Sequence, residues 1–109
     1  MKTSKIMGPV RGSSSARPIM VVLDFLGRRG ALRILWELRR EPLPFRALQE
    51  ACETNPGSLN TRLRELRELG IVEHDDGGYR LTEAGRELVP LLMAIHDWAE
   101  LRVGGTPKS

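Results

Sequence analysis

The stretch NPGSLNTRLRELRELGIVEHDDGGYRLT, running from Asn55 to Thr82, decides how this chain reads. Asn55 is an N-cap residue and Pro56 fills the first helical position, where its missing N–H costs nothing. Leu59, Leu63 and Leu66 then recur on one face, and Gly70 closes the helix. With Leu59 at the centre of the buried face and about 100° per residue, Gly57, Ser58, Asn60, Thr61, Arg64 and Glu68 point outward or sideways. Small residues at a helix start allow close approach to phosphates, while Asn60, Thr61 and an arginine can reach base edges. By itself such a face is equally an ordinary solvated surface.

The residues that follow break the tie. Ile71–His74 and Tyr79–Thr82 flank Asp-Asp-Gly-Gly, which signals a hairpin. A turn at Asp76-Gly77 sets Val72 against Leu81, Glu73 against Arg80 and His74 against Tyr79. A turn at Gly77-Gly78 would set His74 against Leu81 and Glu73 against Thr82, a poorer match of polarity and charge. Upstream, a short helix through Leu48, Ala51 and Cys52 precedes Asn55 by a tight link, and a brief extended piece, Leu43–Phe45, precedes that helix. A helix-turn-helix followed at once by a two-stranded hairpin is a winged helix. The expected fold is therefore mainly α (α+β), with a short two-stranded wing and a C-terminal dimerisation helix.

Farther out, Ala31, Ile34, Leu35 and Leu38 recur at helical spacing, with Leu32 and Trp36 widening the stripe, and predict a core helix over residues 31–40 stopped by Pro42 and Pro44. Residues 19–26 are apolar nearly all round, only Asp24 being polar, so that helix needs cover on two sides. Gly27 ends it. After Thr82, a plausible N-cap, a last helix reaches about Arg102 and bends at Pro90, and it too is apolar on more than one side. Joint burial of the two terminal helices in a homodimer explains both. The candidate interface is Ile19, Val22, Leu23, Leu88, Leu91, Leu92, Ile95 and Trp98.

Composition narrows the functions. The chain has 109 residues, enough for one domain, and its longest apolar stretch, Leu88–Ile95, is far short of a membrane span. No apolar h-region follows Lys2 and Lys5, so no secretory signal is expected. A single cysteine, Cys52, forms no internal disulfide, and with only His74 and His96 beside it no zinc cluster is recognisable, so no metal and no cofactor is expected. Cys52 reads as a small packing residue in a reducing cytoplasm. Phosphate-loop, HExxH, GxSxG and CxxC patterns are absent, which argues against an enzyme. His96, Asp97 and Glu100 share part of a helical face but, among Leu92, Ile95 and Trp98, read as a solvated or interface edge. The net charge is +3, yet residues 1–18 hold four cations and no acid, which leaves −1 for the rest. That Gly/Ser/Pro-rich segment reads as a disordered basic tail, residues 19–103 as the winged-helix domain with its dimerisation helices, and 104–109 as a flexible end.

From Arg17 to Arg102 the chain resembles the HxlR-type winged-helix regulators of bacteria and archaea, a branch related to the MarR-like repressors. Their Cys-Pro and apolar first helix, Gly-Gly-Lys-Trp, and Leu-Ile-Leu-x-Glu-Leu run are similar to Arg17-Pro18 through Leu26, Gly27–Gly30, and Ile34-Leu35-Trp36-Glu37-Leu38. Their Phe-x-x-Leu is matched by Phe45 and Leu48. Their recognition helix resembles Asn55, Leu59, Asn60, Arg62, Leu63 and Leu66, and their Gly-Leu-Val strand Gly70-Ile71-Val72. The closing Leu-Thr-x-x-Gly with a later Pro and Trp is matched by Leu81, Thr82, Gly85, Pro90 and Trp98. Three departures stand out. Arg17 replaces the cysteine that many members carry, which removes thiol sensing there; Gly30 replaces the tryptophan; and the wing is short and acidic, with Asp75 and Asp76 where a longer loop is usual.

The resemblance and the residues together imply a homodimeric, sequence-specific regulator that binds double-stranded DNA with residues 56–69 in the major groove. Asn60, Thr61 and Arg64 are the base-edge candidates, and Ser58 and Arg62 the phosphate candidates, Arg62 serving equally as an internal brace. Asn55 and Gly57 complete the helix start, Arg28 and Arg29 add affinity without sequence information, and Arg80 carries any wing contact. The alternative is a winged-helix module that binds another protein through the same face, suggested by the acidic wing. A small apolar effector has room between the terminal helices and the core, though no residue pattern specifies one.

Overall fold

The computed structural model describes residues 17–104, so nearly all of the expected basic tail and the last five residues lie outside the described residues. Five α-helices and one two-stranded antiparallel sheet follow in the order α1 (Pro18–Leu26), α2 (Ala31–Leu38), α3 (Phe45–Cys52), α4 (Pro56–Glu68), β1 (Val72–Asp75), β2 (Gly78–Leu81) and α5 (Glu83–Ala99). A π-helical turn, Glu100–Gly104, prolongs α5. The first helix begins at Pro18, inside the segment assigned to the tail, and the final turn takes in Gly104.

The core is where the leucine periodicity puts it. Ile34, Leu35 and Leu38 of α2, Leu48 of α3, and Leu59, Leu63 and Leu66 of α4 are buried together with Ile71, Val72 and Leu81 of the hairpin. Leu32 and Trp36 do not join them. Both stay exposed on the wall of an open groove that faces α5, and the Arg39 guanidinium lies 3.5 Å from the centre of the Trp36 ring.

Strand register is Val72↔Leu81, Glu73↔Arg80, His74↔Tyr79 and Asp75↔Gly78, which makes Asp76-Gly77 the turn, as the charge pairing predicts. Asp75 Oδ1 accepts the Gly77 N–H at 2.9 Å and so fixes that turn. The stretch after α2 docks here as well. Leu43 and Tyr79 exchange both backbone hydrogen bonds, at 2.8 and 2.9 Å, and anchor the wing to the body. The exchange requires Gly78, whose φ is +111° and whose Cα would carry any Cβ to 2.6 Å from the Leu43 carbonyl oxygen. At the root of α5 the Thr82 hydroxyl donates to the Gly70 carbonyl at 2.6 Å and accepts the Gly85 N–H at 3.1 Å. One side chain thus caps the helix and ties it to the end of α4.

Candidate nucleic-acid interface

Helix α4 is anchored at its start by its own sequence. Asn55 Oδ1 accepts the Ser58 N–H at 2.8 Å, Pro56 has no N–H, and the Leu59 N–H already bonds the Asn55 carbonyl. Of the N–H groups of the helix's first turn, Pro56 to Ser58, only that of Gly57 is left. The anion-binding role that the sequence suggests for this terminus therefore shrinks to one donor, and Asn55 is occupied as a cap.

Along the helix, Leu59, Leu63 and Leu66 are buried, whereas Gly57, Ser58, Asn60, Arg64, Arg67 and Glu68 are exposed and Thr61 is half-buried. The outward face is thus assembled as the wheel predicts. Ahead of α4, the link from α3 turns on Glu53, at φ 54° and ψ 50°. A glutamate in this left-handed conformation is nothing that its sequence advertises.

The arginines divide into two groups. Arg28, Arg62 and Arg80 are engaged within the protomer. Arg28 bonds Asp24 at 2.7 Å and Glu65 at 2.8 Å, and Arg62 donates to Glu65 at 2.6 Å and to the Arg29 carbonyl at 2.9 Å. Of the two roles open to Arg62, bracing is the one its geometry shows. Arg80, the wing's one cation, bonds Glu73 at 2.9 Å and also pairs with Asp75. The Gly77 N–H, followed by the Arg80 guanidinium, holds the Asp75 carboxyl below its ordinary range. With Arg80 committed to two carboxylates and Asp76 beside them, the wing presents acid rather than base. By contrast, Arg29, Arg40, Arg46, Arg64 and Arg67 make no side-chain ion pair or hydrogen bond. Arg46 on α3 and Arg67 on α4 were not singled out by the sequence. Their signal was only that each is a basic residue on an apolar-periodic helix away from its leucines.

The expected dimer residues also divide. Ile19, Leu23, Leu91, Ile95 and Trp98 are each 50–62% exposed, and they are joined by exposed Met20, Leu101 and Val103. Val22, Leu88 and Leu92 are half-buried and pack against the protomer's own core, so they are shared between the two surfaces rather than free for the second. Between α2 and α5 lies a groove of about 360 Å³ lined by Leu32, Leu35, Trp36, Val89, Leu92 and Met93. Its polar neighbours Arg33 and His96 are partnered, the first with Glu37 and the Ala51 carbonyl, the second with Asp97. Burial, followed by the Glu37 charge, pushes the Cys52 thiol up, which keeps it protonated, as suits a packing residue. Among the described residues no cluster of metal-ligating side chains occurs, and no helix is long and apolar enough to cross a membrane.

Two helices joined by a tight turn, a braced third element with an open polar face, and a hairpin at its end define a winged helix-turn-helix domain. The chain belongs to the HxlR-like helix-turn-helix family, whose profile matches residues 25–105. It is 34% identical over 97 residues to an uncharacterized HTH-type transcriptional regulator from Synechocystis, the match covering 76% of this chain and 70% of that one. The reduced form of the transcriptional regulator YodB from B. subtilis superposes with a TM-score of 0.75 at 26% identity, over 84% of this chain and 98% of that one. A homodimeric winged helix-turn-helix DNA-binding domain from Mycobacterium bovis shares the fold, with a TM-score of 0.64 at 23% identity over 81% of this chain and 91% of that one.

Proposed function

We propose that this protein is a homodimeric transcriptional regulator, not an enzyme, that binds specific double-stranded DNA sites in the cytoplasm. The observation that carries this reading is the outer face of α4. Its leucine side is sealed into the core, while Asn60 and Arg64 stand exposed without partners on a helix fixed at both ends. Asn and Arg are the side chains that read adenine and guanine edges bidentately in the major groove. Thr61, half-buried, lies at the edge of the same face. Unpaired Arg29, Arg46 and Arg67 supply phosphate contacts, Arg46 from the helix that in this motif crosses the backbone. Arg28, Arg62 and Arg80 are assigned to holding the scaffold.

Pairing is supported by the apolar exposure of α1 and α5, which no element among the described residues covers. Twofold pairing would set two α4 helices about one helical turn apart, about 34 Å. Selection of bound DNA from a random library, combined with sedimentation, tests the whole reading. A palindromic site bound by a dimer is the expected result; binding without sequence preference would return the domain to a protein-interaction module.

A further inference from the structure

Glu65 is a carboxylate on a helix proposed to enter DNA, where phosphate repulsion makes an acid unwelcome. It lies on the flank of α4, its side chain only 16% exposed, and its two oxygens are taken by different arginines. Oε2 receives Arg28 Nη1 at 2.8 Å and Oε1 receives Arg62 Nη1 at 2.6 Å. Arg28 stands just past the end of α1, its other nitrogen on Asp24 one turn back at 2.7 Å and its guanidinium 4.5 Å from the centre of the Phe25 ring. Arg62 reaches the same region, donating from Nε to the Arg29 carbonyl at 2.9 Å. Two of these contacts, Arg28 with Glu65 and Arg62 with the Arg29 carbonyl, tie the recognition helix to the turn that leaves α1, and the others hold Arg28 on α1 and Arg62 beside Glu65. Helix α1 is also the one that exposes Ile19, Met20 and Leu23.

We infer that Glu65 is a positioning residue that sets the separation of the two recognition helices. It touches no DNA. By clamping α4 to the end of the dimer-forming helix, it transmits the geometry of the dimer interface to the groove-reading face, and so determines which half-site spacing is accepted. This inference rests on the dimeric DNA-binding reading. Exposed ion pairs contribute little singly, but here one carboxylate is shared by two partly buried guanidinium groups anchored on other atoms, which restricts orientation more than it adds energy.

The sign of the effect separates positioning from charge. Glu65→Ala removes a negative charge and Arg28→Met a positive one, so electrostatics alone predicts opposite changes that are equal on all DNA. Positioning predicts the same change for both: loss of spacing preference. The first step is selection with the wild-type dimer; failure to yield a twofold site would defeat the proposed function and leave Glu65 unaddressed. With a site in hand, the affinities of wild type and both variants are measured for it, for versions with one base pair added or removed at the centre, and for random DNA. Wild type should prefer the selected spacing by about tenfold or more, since misplacing a half-site forfeits base contacts. In both variants that preference should fall to within about threefold, with random-DNA binding moving in opposite directions. If spacing preference survives in both, or if Arg28→Met merely weakens all DNA alike, Glu65 is no such joint. Should Glu65→Ala fail to fold, Arg28→Met, at a more exposed position, decides the matter alone.

Discussion

The middle of the molecule and its two ends are built from the same apolar residue types but finish differently. From α2 to β2, the leucines at helical spacing other than Leu32 find partners within one protomer, whereas in α1 and α5 roughly equivalent residues such as Leu23, Leu91 and Ile95 stay half exposed or more. Hydrophobicity alone does not distinguish the two regions. What differs is the number of apolar faces per helix: a helix with one stripe is satisfied by one core, and a helix apolar on two sides needs a second surface. The middle is therefore a folding unit and the ends an association unit, and substitutions should separate them.

Leu63→Ala should have the largest effect. The side chain is sealed in the core, and its truncation should cost about 2–5 kcal/mol in chemical denaturation at fixed protein concentration, through lost transfer energy and a residual cavity. A loss under about 1 kcal/mol would mean that α4 does not depend on this core. Ile95→Asp should do the reverse. Already exposed in the protomer, it can take a charge with helical content retained, but in the dimer the carboxylate is desolvated, at about 3 kcal/mol, or roughly a hundredfold in the dissociation constant. Sedimentation would show protomers; a variant that remains dimeric would remove this face of α5 from the interface.

The sequence disclosed the middle more fully than the ends, for a physical reason. In the middle, local signals agree: Asn55-Pro56 starts α4, Gly70 ends it, and the Glu73/Arg80 pairing selects the hairpin register. Periodicity says which residues avoid water but not which surface removes them from it. Leu32 and Trp36 fit the α2 stripe and are nonetheless exposed, and Val22, Leu88 and Leu92, candidates for the partner, are half-buried against the protomer's own core. Glycine punctuation held, since Gly27 closes α1, at φ −79°, and Gly30, at +90°, takes the left-handed turn that opens α2. At the site, the outward face of α4 and the Glu73/Arg80 pairing were legible, and bracing was one of the two roles open to Arg62, whereas the partners that Arg28 and Arg62 find across the fold were not. Two of those pairings, Arg28–Glu65 and Arg62 with the Arg29 carbonyl, span more than 30 residues, and no local pattern encodes them.

Within the middle region, reading and scaffolding should also separate. Arg64→Ala should weaken binding to the selected site by about 1–3 kcal/mol while leaving thermal unfolding unchanged, because the side chain is exposed and has no partner in the protomer. An unaltered isotherm would take Arg64 off the reading face.

The smallest effect belongs to the wing. The carboxyl of Asp75 is held below its ordinary value of 3.8 by the Gly77 N–H and then by Arg80, so the hairpin gains from its ionised form. A depressed carboxylate contributes fully above the unfolded value and loses its contribution as pH falls through the folded one. Between neutrality and about pH 5 the wing should therefore not change; below about pH 4 it should loosen. The stacked His74 and Tyr79 rings, with centroids 4.1 Å apart, report this directly through the Tyr79 proton shifts. Asp75→Asn keeps an acceptor for the Gly77 N–H but no charge for Arg80, and should remove the acidic step. If the step persists in that variant, the ionised form of Asp75 does not hold the wing, and its side chain serves the turn alone.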